Sequence, residues 1–180
     1  MKEYLKIGFI LFGITAVVAL LLSGVNALTF EKIAELEAQS VLDAQAEVLE
    51  GKDLGSAQIE SFTASSTDTS VKEYTQYTFA DGKKAFCFTC APKGYGGEIV
   101  MVVGIGENSE VSGIKIISHS ETPGLGAKIT TDENFKSQFV GKALEGDSIE
   151  IDAISGATIS STAVKKAVTD SLSATRRILE

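Results

Sequence analysis

Hydrophobic positions fall into three regimes along the chain. From Ile7 to Leu22 no residue is charged, and most are Ile, Leu, Val, Phe or Ala. The run extends back across Lys6 to Tyr4 and Leu5, and forward through Val25 to Leu28. About 20 apolar residues let a helix cross the hydrocarbon of a bilayer, so residues 1–29 are predicted to form a single transmembrane anchor. Lys6 can snorkel to the headgroups. Lys2 and Lys6 precede the run and no Lys or Arg follows until Lys32. The positive-inside rule then puts the N-terminus in the cytoplasm and the remainder outside. A cleaved secretory leader is the rival reading, with Val25-Asn26-Ala27 as its small-residue cleavage site. The run is longer than the ~7–15 apolar residues of such a leader, which favours the anchor.

The second regime has helical spacing. Between Phe30 and Glu50, Ile33, Leu36, Val41, Leu42, Val48 and Leu49 recur among Glu, Gln and Ala, which predicts an amphipathic connecting helix stopped at Gly51. Gly51 to Ser70 mixes Gly, Ser, Thr and Asp, with Gly55, Ser65, Ser66 and Asp68 as loop signals, so 30–70 reads as a connecting helix and loop. The third regime, 71–180, is a domain that opens with strands. Val71–Phe79 is rich in Tyr, Thr and Val; Ala80-Asp81-Gly82-Lys83 carries a hairpin turn; Lys84–Ala91 returns. Ile99–Ile105 is almost continuously apolar, and Val111–Ser118 alternates around Gly113. Asp132–Phe139 reads as a short helix with Asp at its start. From Ser160 to Ile178 a stripe of Val164, Ala167, Val168, Leu172 and Ile178 predicts a last helix, with Arg176 and Arg177 at its C-terminal end. The expected class is α+β: an antiparallel sheet with packed helices, preceded by the anchor and the connecting helix.

Composition narrows the functions. The 180 residues carry 16 basic and 24 acidic side chains, a net charge of −8. Without Lys2, Lys6 and Glu3 the balance is 14 to 23, a net of −9. Such a domain is not drawn to phosphate backbones, so no nucleic-acid partner is expected. One histidine, His119, and two cysteines argue against a His-based metal site and cannot supply a four-Cys centre, and no metal ligand is assigned. Cys87 and Cys90 have redox-motif spacing, but they fall on an expected strand, where residues three apart point to opposite faces. Two separate packed thiols are therefore expected.

Three segments carry candidate chemistry. Asp152-Ala153-Ile154-Ser155-Gly156-Ala157-Thr158 leads into the last helix. Small Gly156 and Ala157 permit close approach, and Thr158, Ser160 and Ser161 crowd hydroxyls where free N–H groups and the helix dipole suit a phosphate. The plainer reading is an N-cap supplied by Ser160 or Ser161. His119-Ser120-Glu121-Thr122-Pro123-Gly124-Leu125-Gly126 reads as a turn after a strand, with His119 a satisfied strand-end residue. Lys93-Gly94-Tyr95-Gly96-Gly97 offers three glycines for close approach, and Tyr95 faces either a planar ligand or the core.

The first segment resembles the flavinylation motif: an acid, two variable residues, Ser or Thr, Gly, Ala, then Thr or Ser. Asp152, Ser155, Gly156, Ala157 and Thr158 fill every fixed position. A chance match in a chain of this length is about one in a thousand at average composition. With the two loops ahead of it, the segment is similar to the FMN-binding domain shared by the G subunit of the Rnf complex and the C subunit of the sodium-translocating NADH:quinone reductase. The resemblance implies FMN held covalently as a phosphodiester on Thr158. It also implies a flavin pocket lined by Glu121, Thr122, Gly124, Leu125 and Gly126, with Tyr95 and Gly96 from the glycine loop. It implies an electron relay without catalytic residues of its own. The implied partners are the other membrane, iron–sulfur and flavin subunits of an Rnf-type complex, a flavin transferase for maturation, and the lipid bilayer. That complex couples ferredoxin oxidation and NAD reduction to sodium or proton movement. A C subunit of the quinone reductase, a free-standing membrane-tethered flavin reductase, and a scaffold domain with an unmodified Thr158 are the competing readings.

Overall fold

The computed structural model describes residues 2–49, 57–63 and 70–179. The element order is α1 (Lys2–Val48), β1 (Gln58–Thr63), β2 (Val71–Thr78), β3 (Lys84–Cys90), β4 (Ile99–Ile105), β5 (Val111–His119), α2 (Lys128–Thr131), α3 (Glu133–Ser137) and α4 (Thr158–Leu179). Two compact units divide the chain, Met1–Ser40 and Val41–Glu180. The expected anchor and connecting helix form one helical element, α1. Gly51, read as its stop, and the loop residues Gly55, Ser65, Ser66 and Asp68 lie outside the described residues.

In the first unit, α1 is long and apolar enough to cross a membrane. Its large apolar side chains, Phe9, Phe12, Leu20 and Leu22 among them, are exposed. Its hydroxyls are satisfied within the helix: Thr15 Oγ1 donates to the Leu11 and Phe12 carbonyls at 3.1 and 3.0 Å, and Thr29 Oγ1 to the Val25 carbonyl at 2.7 Å. Internal satisfaction of polar groups is what a lipid environment demands.

In the second unit, the five strands form one antiparallel meander in the order β1-β2-β3-β4-β5. The sheet is covered on both faces. Phe86, Phe88, Cys90, Met101, Val103 and Ile105 pack on one side with Val164, Ala167, Val168 and Leu172 of α4. Ala85, Cys87, Val102 and Tyr77 pack on the other side with Ala44, Val48 and Leu49 at the end of α1. A strand buried on both faces needs no polar alternation, which explains the unbroken apolar run of β4. Gly104 and Gly113 make room for the helix end: a Cβ on Gly104 would stand 2.8 Å from Val48 Cγ2. The Val48 carbonyl, left over at the helix terminus, accepts from Ser112 Oγ at 2.7 Å. Of the apolar stripe expected in this helix, Val48 and Leu49 are buried, while Ile33, Leu36 and Leu42 are exposed.

Two elements depart from expectation. The single-turn helix α2 precedes α3 where no helix is expected. Gln58–Thr63, inside a stretch read as loop, is strand β1, paired with β2 from Gln58↔Thr78 to Thr63↔Glu73. All six of its residues are exposed, so it carries no alternation to betray it. Its apolar residues, Ile59 and Phe62, are three apart and so face opposite ways. Phe62 stacks on Tyr74 with ring centroids 5.0 Å apart. The short helix α3 follows expectation, with Asp132 as N-cap accepting from Phe135 N at 3.2 Å. Helix α4 is tied to the start of β2 through Asp170, whose Oδ2 accepts from Ser70 N at 2.8 Å and Ser70 Oγ at 2.7 Å.

Cys87 and Cys90 are both free and fully buried, in the clusters on opposite faces of the sheet. Burial pushes each thiol up to about 12, against an ordinary value of 9.0. A raised thiol pKa contributes stability that is complete below pH 9 and is lost as pH climbs through 12. Neither thiol should react with iodoacetamide at pH 8 in the folded chain, and both should react in denaturant. Mass spectrometry of the alkylated chain counts the adducts; one adduct on folded protein would contradict the buried placement.

Candidate functional site

Residues from the β3–β4 loop, the loop after β5, and the turn and first residues of α4 converge on one cleft. Its volume is about 450 Å³, within the range of small-molecule sites. Tyr95, Glu121, Thr122, Leu125, Gly126, Gly156, Ala157, Thr158, Ile159 and Ser160 line it.

Each wall is set by local sequence. The turn Thr122-Pro123-Gly124-Leu125 closes with Leu125 N donating to Thr122 O at 3.2 Å. Proline at its second position and Gly124 at φ 76° in its third are the residues such a turn requires. The turn Ile154-Ser155-Gly156-Ala157 closes in the same way, Ala157 N to Ile154 O at 2.9 Å, with Gly156 at φ 78°. Helix α4 then begins at Thr158. The glycine loop is closed by Gly94 N donating to Gly97 O at 2.7 Å. It lies against Ser120 and Glu121 so closely that a Cβ on Gly96 would strike the Ser120 carbonyl. Glu121 is buried and joins these parts: Oε1 accepts from Gly96 N at 3.0 Å and Oε2 from Ser160 Oγ at 2.5 Å. His119 holds the same residue from behind, its Nδ1 accepting from Glu121 N at 3.1 Å.

The three hydroxyls at the start of α4 have different fates. Ser160 and Ser161 are buried, and neither caps the helix, contrary to the plainer sequence reading. Ser160 donates to Glu121, and Ser161 Oγ accepts from Ile154 N at 3.1 Å, which pins the preceding turn. The helix simply starts two residues earlier than its apolar stripe suggests, at Thr158, which places both serines inside the first turn. Thr158 and Ser160 both line the cleft, and of the three only Thr158 is exposed. The helix N-terminus beside it adds unpaired N–H groups and a partial positive charge.

Of the sequence-derived candidates, Tyr95, Glu121, Thr122, Leu125, Gly126, Gly156, Ala157 and Thr158 meet in the cleft. Tyr95 is 73% exposed, which removes it from the core. Gly96 and Gly124 shape the walls without lining them, and Asp152 and Ser155 are exposed outside the cleft. The backbone of Asp152 is gripped at both ends by one amide: Gln138 Oε1 accepts from its N–H at 2.7 Å, and Gln138 Nε2 donates to its carbonyl at 3.3 Å. Sequence reasoning missed Gln138, Ile159 and the part Ser160 plays. No spacing rule links Gln138 to a residue 14 positions away. The signal for Ser160 was present, a serine beside a run of hydroxyls, but a cap is the commoner use of that pattern.

Comparison with known proteins bears on this cleft. The family described as the FMN-binding domain matches residues 94–173. The chain is 32% identical over 191 residues to the G subunit of the ion-translocating oxidoreductase complex of Shewanella baltica, covering 91% of this chain and 85% of that one. It is 31% identical to the G subunit of the Na(+)-translocating ferredoxin:NAD(+) oxidoreductase complex of Acetobacterium woodii, over 95% and 91% of the two chains. The G subunit of the ion-translocating oxidoreductase complex of Methanosarcina acetivorans is 34% identical, over 93% and 92%. Among solved structures, the C subunit of the Na(+)-translocating NADH-quinone reductase of Parabacteroides distasonis shares the fold. Its TM-score is 0.50 at 22% identity, over 68% of this chain and 77% of that one.

Gly96 and Gly124 should respond differently to substitution. Gly124 has open space around it and is held only by its φ, so Gly124→Ala should cost about 1–2 kcal/mol and Gly124→Asn much less, since Asn tolerates that conformation. Gly96 is held by the approach of backbone, so Gly96→Ala and Gly96→Asn should be equally damaging, by about 1–3 kcal/mol. Thermal melting of the four detergent-solubilised variants checks this; a rescue by Asn at position 96 would show that space is not the constraint there.

Proposed function

The chain belongs to the family of G subunits of ion-translocating oxidoreductase complexes, and from that premise we propose that it is the membrane-tethered electron relay of an Rnf-type complex, carrying one FMN as a phosphodiester on Thr158. The observation that carries the attachment is the sorting of hydroxyls: Ser160 and Ser161 are buried and committed, and Thr158 is exposed in the cleft. The residues fit the group. Tyr95, Leu125 and Ile159 offer apolar surface to a flat ring, and the start of α4 offers N–H groups and a favourable dipole to a phosphate. When bound, FMN supplies electron transfer in single steps, and the protein supplies placement and electrostatics.

Attachment balances as a transfer from FAD. The Thr158 oxygen forms a bond to the FMN phosphorus, the pyrophosphate bond breaks, AMP leaves and the hydroxyl proton is released. A flavin transferase would recognise Asp152 and Ser155, which project outside the cleft from a backbone fixed by Gln138, Ser161 and the Gly156 turn. Anchored in the bilayer by α1, with the domain outside the cytoplasm, the chain would exchange electrons with other members of the complex.

Expressed with a flavin transferase, the chain should show flavin fluorescence after denaturing electrophoresis. Thr158→Val should abolish it while the thermal melting midpoint stays within a few degrees of wild type. Fluorescence that survives the change, or that maps by peptide analysis to Ser160 or Thr162, would refute the assignment.

Orientation has its own measurement. Protease added to intact spheroplasts should digest the chain beyond about residue 30 and leave the anchor. Protection until lysis would place the domain in the cytoplasm.

A further inference from the structure

Glu121 carries more charge than its structural task needs. Both of its carboxyl oxygens accept hydrogen bonds, from Gly96 N–H and the Ser160 hydroxyl, as the ionised form does. The side chain is buried, at 5% exposure, in the wall of the cleft. Among the described residues no Lys, Arg or His forms an ion pair with it. The fold makes room for it: a Cβ on Gly94 would strike Oε1, and one on Gly126 would stand 2.5 Å from Oε2. A glutamine could accept from Gly96 with its carbonyl and meet the Ser160 hydroxyl with its amide, so the fastening alone does not call for a negative charge. Burying an unpaired carboxylate is costly, and it is offset here only by neutral dipoles and the nearby N-terminus of α4.

We propose that Glu121 is a fixed negative charge that holds the reduction potential of the flavin in this cleft low, with Gly96 and Ser160 keeping the carboxylate in position. This rests on the attachment of FMN at Thr158. Each electron accepted adds negative charge to the cleft. Beside a buried carboxylate that addition is opposed by Coulomb repulsion, which is larger in a cleft wall than in water. The flavin is then a stronger electron donor than it would be opposite a neutral residue.

The test uses the full chain, loaded by a flavin transferase and titrated spectroelectrochemically in detergent. Glu121→Gln keeps the size and the hydrogen bonds and removes the charge, so its midpoint potential should rise above wild type, with in-gel fluorescence and melting temperature preserved. Ser160→Ala strips one donor from the ionised carboxylate and leaves its charge less offset, so its midpoint should fall. A loaded Glu121→Gln chain with an unchanged or lower midpoint overturns the proposal. So does a rise in Ser160→Ala, which would make any loosening of the cleft the cause. Should Glu121→Gln fail to load, Ser160→Ala decides alone: a fall supports the proposal, and a rise or no change overturns it. Missing covalent flavin in the wild type, or its persistence in Thr158→Val, is instead the failure of the attachment reading.

Discussion

The packing of α4 against the β3–β4 face of the sheet is the constraint on which the cleft depends. Val164, Ala167, Val168 and Leu172 bury against Phe86, Phe88, Met101 and Val103, and that contact fixes where the helix begins. The first turn, Thr158 to Ser161, has no independent freedom. Its buried hydroxyls must find partners, since an unsatisfied one costs about 1–3 kcal/mol. Ser160 and Ser161 find them in the two neighbouring loops. Two glycines follow, because a side chain at Gly126 would meet Ser160 of the helix, and one at Gly96 would push the glycine loop off Ser120 and Glu121. A core contact thus decides which hydroxyl stays accessible.

Much of this was legible in the sequence, for identifiable reasons. β4 announces itself because burial on two faces leaves an unbroken apolar run, and α4 because burial of one stripe leaves a helical period. β2, β3 and the turn between them follow from Asp81-Gly82 and the β-branched and aromatic residues on either side. β1 was missed because an exposed edge strand is held by backbone pairing, which leaves no mark on side-chain pattern. The cleft was legible as three separate segments, each with an ordinary alternative use. What the sequence could not show is how they are joined: Glu121 to Ser160 spans 39 positions, and Gln138 to Asp152 spans 14. Tyr95 illustrates the same limit, since an aromatic between glycines serves a core or a surface equally well until the neighbouring loop is placed.

The Asp152–Thr158 segment also divides into parts with different physical tasks. Gly156 and Ala157 shape the turn and the wall, Thr158 presents an exposed hydroxyl to the cleft, and Asp152 and Ser155 project into solvent. Residues outside the motif do the holding. On the proposed attachment, the short linear pattern is what a transferase meets, while the shape that presents it is maintained by Gln138 and Ser161.

The meander has a consequence for the order of synthesis. Every strand pairs with its neighbour in sequence, so the sheet can assemble as the chain emerges, with only short loops to close. The face that receives α4 must wait, uncovered, until the last helix has been made. The cleft cannot exist before then, although two of its three walls precede α4 by more than 30 residues. On the proposed attachment, a transferase that reads the folded turn would act only on chains whose C-terminal helix has docked. Truncated or stalled products would pass it by, leaving cofactor to be spent on domains already able to hold it.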